Sequence, residues 1–195
     1  MILLVRHGET EFNRERRFQG HLDSPLTGLG VRQATAMGQL VRDLVGEPHG
    51  WRIIASPLGR ARRTAEIVAT ATGLSEVEVD PRLMELTVGE WDGRLRSEAE
   101  AVAGAGFTRS GWDFSSPNGE SFEATVERTK SWLESLPAEP QRRIIAVSHG
   151  VTGRVLRGVY AGLDRSSTLE EPVPQDAVYR LQNGQIDRFD CEPVE

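Results

Sequence analysis

Short apolar runs alternate along this chain with longer segments in which apolar residues recur at helical spacing. The first run, Ile2 to Arg6, is apolar and β-branched enough to predict a strand buried on both faces of a parallel sheet. A polar loop follows from Gly8 to Pro25, and Thr27 then stands at a helix N-cap position before a helically spaced apolar segment. Gly46 and Pro48 end that predicted helix. The chain therefore opens as strand, loop and helix.

The alternation continues to the end of the chain. We predict strands at 51–55, 77–79 and 143–148, and helices that begin at Ser56-Pro57, near Ser97, after Ser121 and near Val151. Asn183-Gly184 predicts the tight turn of a hairpin formed by 177–182 and 185–189. The pattern predicts a single α/β domain over residues 1–195, with three α/β/α layers, a mainly parallel central sheet and one antiparallel edge strand. The glycine-rich segment from about 86 to 120 is expected to be an irregular or helical insertion over the sheet.

Composition and charge narrow the functional classes. The chain has 195 residues, of which 38% are hydrophobic and 27% charged, as is typical of a globular protein. A formal net charge of -6 argues against a nucleic-acid partner. The opening apolar run is too short for a signal-peptide core or a membrane span, so we expect a cytoplasmic protein without a membrane partner. Cys191 is the single cysteine, which excludes an intramolecular disulfide and a thiolate metal cluster.

Histidine and arginine residues stand at the ends of the predicted parallel strands. The first strand ends at Arg6-His7-Gly8, the second is followed by Arg60 in the next helix, and the last long one ends at Ser148-His149-Gly150. In open α/β sheets, ligands bind outside the carboxyl ends of the strands. We therefore expect these residues to converge at one edge of the sheet, with no acidic cluster beside them.

A histidine among arginines suits phosphoryl transfer. A neutral imidazole can attack phosphorus and form a covalent intermediate, which divides one difficult displacement into two easier ones. Guanidinium groups match phosphate geometry, so Arg6 and Arg60 are expected to hold the phosphoryl group, with His149 as a further donor. Gly8 and Gly150 would let the backbone approach the phosphate closely. His7 is the candidate nucleophile; taken alone, it would be read as a buried structural histidine.

Three motifs together extend this interpretation. Arg6-His7-Gly8-Glu9-Thr10 with Asn13, then Ser56-Pro57-Leu58-Gly59-Arg60-Ala61, then Ser148-His149-Gly150 resemble, in order and spacing, the histidine phosphatase superfamily, also called the phosphoglycerate mutase-like family. The resemblance reaches from Val5 to about Val155. It implies a phosphohistidine on His7 and a phosphate pocket of Arg6, Arg60 and His149, bordered by Asn13. It further implies a small phosphate ester as substrate, and neither a metal nor another cofactor.

The resemblance also implies a carboxylate that protonates the leaving group and then activates water. Glu85, within Arg82-Leu83-Met84-Glu85-Leu86, stands at the family's position for it. Glu90 is the competing candidate, although an exposed surface position is the ordinary expectation for such a glutamate.

Several residues near these motifs are further candidates. Gln19 and Gly20 belong to a loop that is expected to contact the substrate. Trp91, Phe107 and Trp112 would either line an apolar mouth or pack beneath the 86–120 insertion, which we expect to cover the active site.

Two reactions share such a site. A phosphatase passes the phosphoryl group to water, whereas a mutase returns it to a second hydroxyl of the same sugar acid and excludes water meanwhile. Mutases of the family resemble one another in having Arg-His-Tyr directly after the catalytic glutamate, whereas Glu85 is followed by Leu86-Thr87-Val88 and no lysine lies near. The sequence therefore favours hydrolysis. A non-catalytic phosphate-binding protein is a third hypothesis, opposed by the presence of both the nucleophile and the acid. A monomer and a homodimer both stay open.

Overall fold

The computed structural model describes residues 1–103 and 116–194, and the predicted alternation of strands and helices is present in them. The strands are β1 (Ile2–Arg6), β2 (Arg52–Ala55), β3 (Val77–Val79), β4 (Ile144–Ser148), β5 (Ala177–Gln182) and β6 (Gln185–Asp190). The helices are α1 (Glu11–Arg14), α2 (Gly28–Val45), α3 (Gly59–Thr72), α4 (Arg96–Ala103), α5 (Phe122–Glu134), α6 (Gly150–Ala161) and α7 (Arg165–Glu170), with 3₁₀ helices at Pro81–Leu83 and Gly89–Trp91.

The described strands form a sheet in the order β3-β2-β4-β1-β5-β6. The first four of these are parallel to one another. β5 runs antiparallel to β1, and β6 runs antiparallel to β5 at the edge. Asn183 and Gly184 make the turn between them with φ angles of 52° and 74°, the positive values that a tight hairpin turn requires. The predicted α/β fold, with its mainly parallel sheet and antiparallel edge, is confirmed.

Helices cover both faces of the sheet because successive side chains of a strand point to opposite faces. Leu3 and Val5 of β1 pack into one core with residues of α2 and α3. Ile2 and Leu4 of the same strand pack into a second core with Trp132 of α5 and with α6. Each of these aliphatic side chains is at most 3% exposed, and such burial stabilises a fold by about 1.5–3 kcal/mol per side chain. The sheet is thus the rigid middle layer that carries the strand ends.

The starts of the predicted helices agree with the structure, with one exception. Thr27 and Ser121 cap α2 and α5 as predicted, accepting hydrogen bonds from Gly30 N and Ala124 N at 3.0 and 3.1 Å. Pro57 was expected in the first turn of α3, but that helix begins at Gly59 with Leu58 as its N-cap. Its first turn is instead capped from a distant loop, as described below.

The region after Glu85 forms a small third core. Phe18, Leu86, Val88, Trp91 and Ala99 pack together here, and each is at most 4% exposed. Trp91 therefore packs beneath this region, whereas Phe107 and Trp112 lie outside the described residues. Within the described part of the chain, no helix combines the length and apolar character needed to cross a membrane.

Candidate active site

Strand register brings two histidines together at the carboxyl ends of β1 and β4. Arg6 lies opposite Ser148, and the N–H of His7 donates to the Ser148 carbonyl at 3.0 Å. His7 and His149 therefore leave adjacent strands side by side. Their ring centroids are 5.1 Å apart, and the rings meet edge to face at 62°. Both rings are buried, with 2% and 1% of their residue surfaces exposed.

One ring nitrogen of His7 forms a hydrogen bond with the backbone. Its Nδ1 lies 2.8 Å from the Gly8 carbonyl oxygen. A carbonyl can only accept, so Nδ1 carries the hydrogen and Nε2 of the neutral ring keeps a lone pair. Burial lowers the pKa of His7 well below its ordinary value, and the nearby Arg60 and Arg6 cations lower it further. The ring is neutral at neutral pH, and the lone pair on Nε2 has the chemical capacity to act as a nucleophile.

His149 is fixed through its other nitrogen. Its Nε2 lies 2.7 Å from the hydroxyl of Ser56, the residue that follows β2. Burial, followed by the charge of Arg60, lowers the pKa of His149 well below the ordinary value. A neutral ring that accepts from Ser56 at Nε2 has its hydrogen on Nδ1. That Nδ1 is buried and has no hydrogen-bond partner among the described residues.

Arg6 presents a charged group at the end of β1. One of its terminal nitrogens donates to the Val173 carbonyl, and its buried Nε has no hydrogen-bond partner among residues 1–103 and 116–194. Burial lowers the pKa of Arg6 to about 10, a decrease that the Glu85 carboxylate opposes. The guanidinium is therefore still charged at neutral pH, with a donor left for a ligand.

Arg60 is buried at the start of α3, with 2% of its surface exposed. Its terminal nitrogens donate to the carbonyls of Leu22 and Gly20, both at 2.8 Å. The Asp23 carboxylate lies 3.3 Å from the same guanidinium and also accepts from the Arg60 backbone N–H at 3.2 Å, which caps the helix start. Burial lowers the pKa of Arg60, and its Nε has no partner in the described part of the chain.

Glu85 lies against the first turn of α6. Its Oε1 accepts from the backbone N–H of Thr152 at 2.9 Å and lies 3.0 Å from the Thr152 hydroxyl. Its Oε2 accepts from Val151 N at 3.2 Å. These contacts hold the Glu85 carboxyl group in place, because the first N–H groups of a helix have no partner within the helix and are free to donate to it. Glu90, the competing candidate, is exposed and accepts from Asn118 at 3.1 Å.

A pocket of about 270 Å³ joins most of the predicted residues. It is lined by Arg6, His7, Asn13, Gln19, Gly20, Arg60, Glu85 and Gly150 from the sequence-based set. The His149 ring contacts the His7 ring beside this pocket, although neither His149 nor Glu90 is among the residues that line it. In the described residues no three His, Cys, Asp or Glu side chains come together in a way that could hold a metal ion.

The two glycines expected to approach phosphate have steric roles of their own. A Cβ on Gly8 would lie 2.2 Å from the Gly30 carbonyl oxygen, so the backbone just after β1 lies directly against the backbone of α2. The Gly8 N–H is already used by Thr64 Oγ1 at 3.2 Å, and Gly8 does not line the pocket. A Cβ on Gly150 would lie 3.3 Å from the Arg6 guanidinium. Gly150 therefore gives space to a side chain that lines the pocket.

The structure adds residues that motif reasoning missed. Arg17, Phe18, Leu86, Val88, Arg96, Val151, Arg154 and Val173 also line the pocket. Gln175 donates to the His7 carbonyl at 3.3 Å and to Asn13 Oδ1 at 3.0 Å. His21 is exposed, and its Nε2 contacts the Glu85 carbonyl at 3.0 Å. Leu86 and Val88 were within the expected insertion, but nothing local marked Val173 or Gln175, which are more than 160 residues from the first motif.

Comparison with known proteins agrees with this arrangement. The sequence profile of the histidine phosphatase superfamily, branch 1, matches residues 2–187. The chain belongs to this superfamily. The resemblance stated from the three motifs is therefore confirmed, and it extends over nearly the whole chain.

Curated relatives within the superfamily match nearly the whole of this chain. The probable phosphoglycerate mutase GpmB of Erwinia tasmaniensis is 41% identical over 196 residues, which cover 97% of this chain and 84% of that protein. The protein of the same name from Klebsiella pneumoniae is 41% identical over 197 residues, covering 98% and 85%.

Solved structures of the superfamily fold superpose closely. A mycobacterial glucosyl-3-phosphoglycerate phosphatase complexed with VO3 has a TM-score of 0.79 at 26% identity, covering 98% of this chain and 99% of that one. YhfR of Bacillus stearothermophilus has a TM-score of 0.79 at 27% identity, covering 97% and 95%. The superfamily fold thus accommodates proteins named for hydrolysis, while the curated relatives are named for mutase transfer.

Proposed function

We propose that this histidine phosphatase superfamily member is a metal-independent phosphomonoester hydrolase that forms a phosphohistidine on His7. One observation carries the proposal. His7 is buried and neutral, its Nδ1 is committed to the Gly8 carbonyl, and its Nε2 is left as the nucleophile beside Arg6 and Arg60. Glu85 lines the same pocket as the acid and base.

In the first step, the Nε2 lone pair of His7 forms a bond to phosphorus. The bond between phosphorus and the ester oxygen breaks, and its electron pair stays with that oxygen. Glu85, protonated at this stage, gives its proton to the leaving alkoxide. The Nε groups of Arg6 and Arg60 and the Nδ1–H of His149 donate to the phosphoryl oxygens, on which negative charge is spread.

In the second step, the phosphoryl group passes from His7 to water. The Glu85 carboxylate takes a proton from water as the water oxygen bonds to phosphorus. The phosphorus–nitrogen bond breaks, and its electron pair returns to Nε2. Phosphate leaves, and both His7 and Glu85 regain their starting protonation states.

The side chains after Glu85 favour water as the acceptor. Leu86 and Val88 belong to the small apolar core and line the pocket, so the positions that carry Arg-His-Tyr in the mutases of the family offer no charged side chain here. The chain's single lysine, Lys130, lies away from the pocket on α5 and pairs with Glu134.

Phosphoglycerate mutase-type transfer is the second candidate. The pocket is also lined by three arginines besides Arg6 and Arg60, namely Arg17, Arg96 and Arg154. Guanidinium groups can bind the carboxylate of a sugar acid. The relatives named as probable phosphoglycerate mutases also support this alternative. With 3-phosphoglycerate as substrate, hydrolysis releases inorganic phosphate, whereas a mutase produces 2-phosphoglycerate without net phosphate release. Phosphorus NMR separates the two outcomes.

The general test is hydrolysis of p-nitrophenyl phosphate with and without a chelator. We expect turnover that chelation does not change and that His7→Ala abolishes. His49→Ala is the matched control, because His49 is exposed and does not line the pocket. Acid-labile, base-stable radiolabel should remain on the wild-type chain after quenching and be absent from His7→Ala. Phosphate binding without turnover of any monoester would instead support the non-catalytic hypothesis.

A further inference from the structure

The segment that joins α7 to β5, residues 171–176, borders the candidate active site, and we call it the strap. Two of its residues contact the first motif. The Val173 carbonyl accepts from Arg6, and the Gln175 side chain donates to the His7 carbonyl. The strap therefore determines where the Arg6 guanidinium is anchored.

Arg157 of α6 binds two residues of the strap. The side chain is 3% exposed, and its terminal nitrogen donates to the Pro172 carbonyl at 2.5 Å. Its Nε forms an ion pair with Glu171 at 3.5 Å, and its guanidinium carbon lies 4.0 Å from the centre of the Tyr179 ring. A buried guanidinium is costly to desolvate unless such partners surround it. Nothing in the proposed reaction requires this charge.

Arg6 and Arg157 thus bind the carbonyls of adjacent strap residues, Val173 and Pro172. Both arginines line a cavity of only about 10 Å³, together with His149, Val173 and Tyr179. This space is too small to absorb a displaced strap without moving its neighbours. A shift of Pro172 would therefore move the Val173 carbonyl and rotate the guanidinium that it anchors.

We propose that Arg157 is a positioning residue for phosphoryl transfer, acting through the strap to orient Arg6. The inference rests on the proposed function in one respect, that Arg6 holds the phosphate. A displacement of a positioning group by about 1 Å costs on the order of 100-fold in rate. Arg157→Met, which keeps the length of the side chain and removes its charge and donors, should lower kcat/KM for p-nitrophenyl phosphate about 10- to 100-fold.

A double-mutant cycle with Arg6→Met tests the route of this effect. If Arg157 acts through Arg6, Arg157→Met should lower kcat/KM less than about 3-fold once Arg6 is already replaced, because two residues that act through one contact are not additive. Arg165→Met is the matched control, since Arg165 is exposed on α7 and pairs with Glu123; it should change kcat/KM less than about 2-fold. An equal loss in both Arg6 backgrounds, or no loss with Arg6 present, would overturn the proposal.

Binding of inorganic phosphate gives a readout that does not need turnover. Isothermal titration calorimetry is carried out on the wild type, the two single variants at Arg157 and Arg6, and the double variant. The Kd for phosphate should rise about 10-fold on Arg157→Met when Arg6 is present and should not change when Arg6 is replaced. If the effect of Arg157→Met on phosphate binding depends on Arg6 but the protein hydrolyses no monoester, the phosphatase proposal is refuted and the positioning role of Arg157 still holds. If circular dichroism shows that Arg157→Met is unfolded, Arg157→Lys takes its place. Lysine keeps the charge but cannot bind the Pro172 carbonyl and Glu171 at the same time. A loss of kcat/KM that depends on Arg6 would support the proposal, and an equal loss in both Arg6 backgrounds, or no loss, would overturn it.

Discussion

The carboxylate of Glu85 accepts from the backbone N–H of Thr152 at 2.9 Å and lies 3.0 Å from the hydroxyl of the same residue. Thr152 is the third residue of α6, the helix that begins directly after His149. The candidate acid is therefore fixed to the same helix start as the second histidine, although the two residues belong to different motifs.

Glu85→Gln should separate the acid role from binding. Glutamine keeps the size of the side chain but cannot donate a proton to an alkoxide, so kcat for an alkyl phosphate should fall about 100- to 10,000-fold. The loss should be much smaller for p-nitrophenyl phosphate, whose leaving group needs little protonation. Comparing kcat across leaving groups of increasing pKa measures this. Glu90→Gln is the control, and a larger loss there than at Glu85 would transfer the acid role to Glu90.

Acid should destabilise the protein from about pH 6.5 downwards. Burial lowers the pKa of His7 and His149 well below 6.5, so below this pH the unfolded chain takes up protons that the folded protein does not. The free energy of unfolding should then fall by about 1.4 kcal/mol per pH unit for each histidine, until the folded pKa is reached.

Urea unfolding between pH 6.5 and 5.5 measures this slope in the phosphate-free protein. His149→Gln should reduce the slope by about one proton. His49→Gln is the matched control, since His49 is exposed. A slope that is the same in wild type and His149→Gln would contradict the assignment of His149 as a buried neutral ring.

Arg60→Ala should affect both activity and stability. Losing a charged donor to the transition state is expected to lower kcat/KM about 100-fold or more. The carbonyls of Gly20 and Leu22 would also lose their donors, at a cost of about 1–3 kcal/mol where they stay buried. Arg62→Ala, two residues along and exposed, should leave both quantities close to wild type. Chemical denaturation and steady-state kinetics on the same samples provide the test, and equal effects of the two substitutions would contradict it.

Gly8→Ala should act through packing. The new Cβ would meet the Gly30 carbonyl at 2.2 Å, a contact between two backbones that no rotamer change can relieve. We expect the free energy of unfolding to fall by about 1–3 kcal/mol or more. Gly28→Ala, in the helix α2 that also holds Gly30, is the control, because the nearest atom to a Cβ there is the flexible end of Arg32 at 3.6 Å. A loss of activity with unchanged stability would instead assign Gly8 to phosphate contact.

Most strands and helices could be predicted from the sequence, because the spacing of apolar residues and the residues of tight turns are local properties of the chain. Continuous apolar runs identified β1 and β4, helical spacing identified α2, α3 and α5, and Asn183-Gly184 marked the hairpin. The short helix α1 was missed because Thr10 forms its capping box with Asn13, where a glutamate or glutamine is the usual signal. α7 is too short at six residues to show a clear period.

The sequence by itself determined the fold class, the superfamily and the strand ends at which His7, Arg60 and His149 stand, since these depend on periodicity and on short motifs. Only the tertiary structure decided which neighbours complete the site. Val173 meets Arg6 across 167 residues, and Gly8 meets Gly30 where the loop after β1 passes over α2. The lowered pKa values of the histidines are likewise products of burial beside arginines from separate elements. Such contacts depend on how the layers pack, and packing leaves no local signature in the chain.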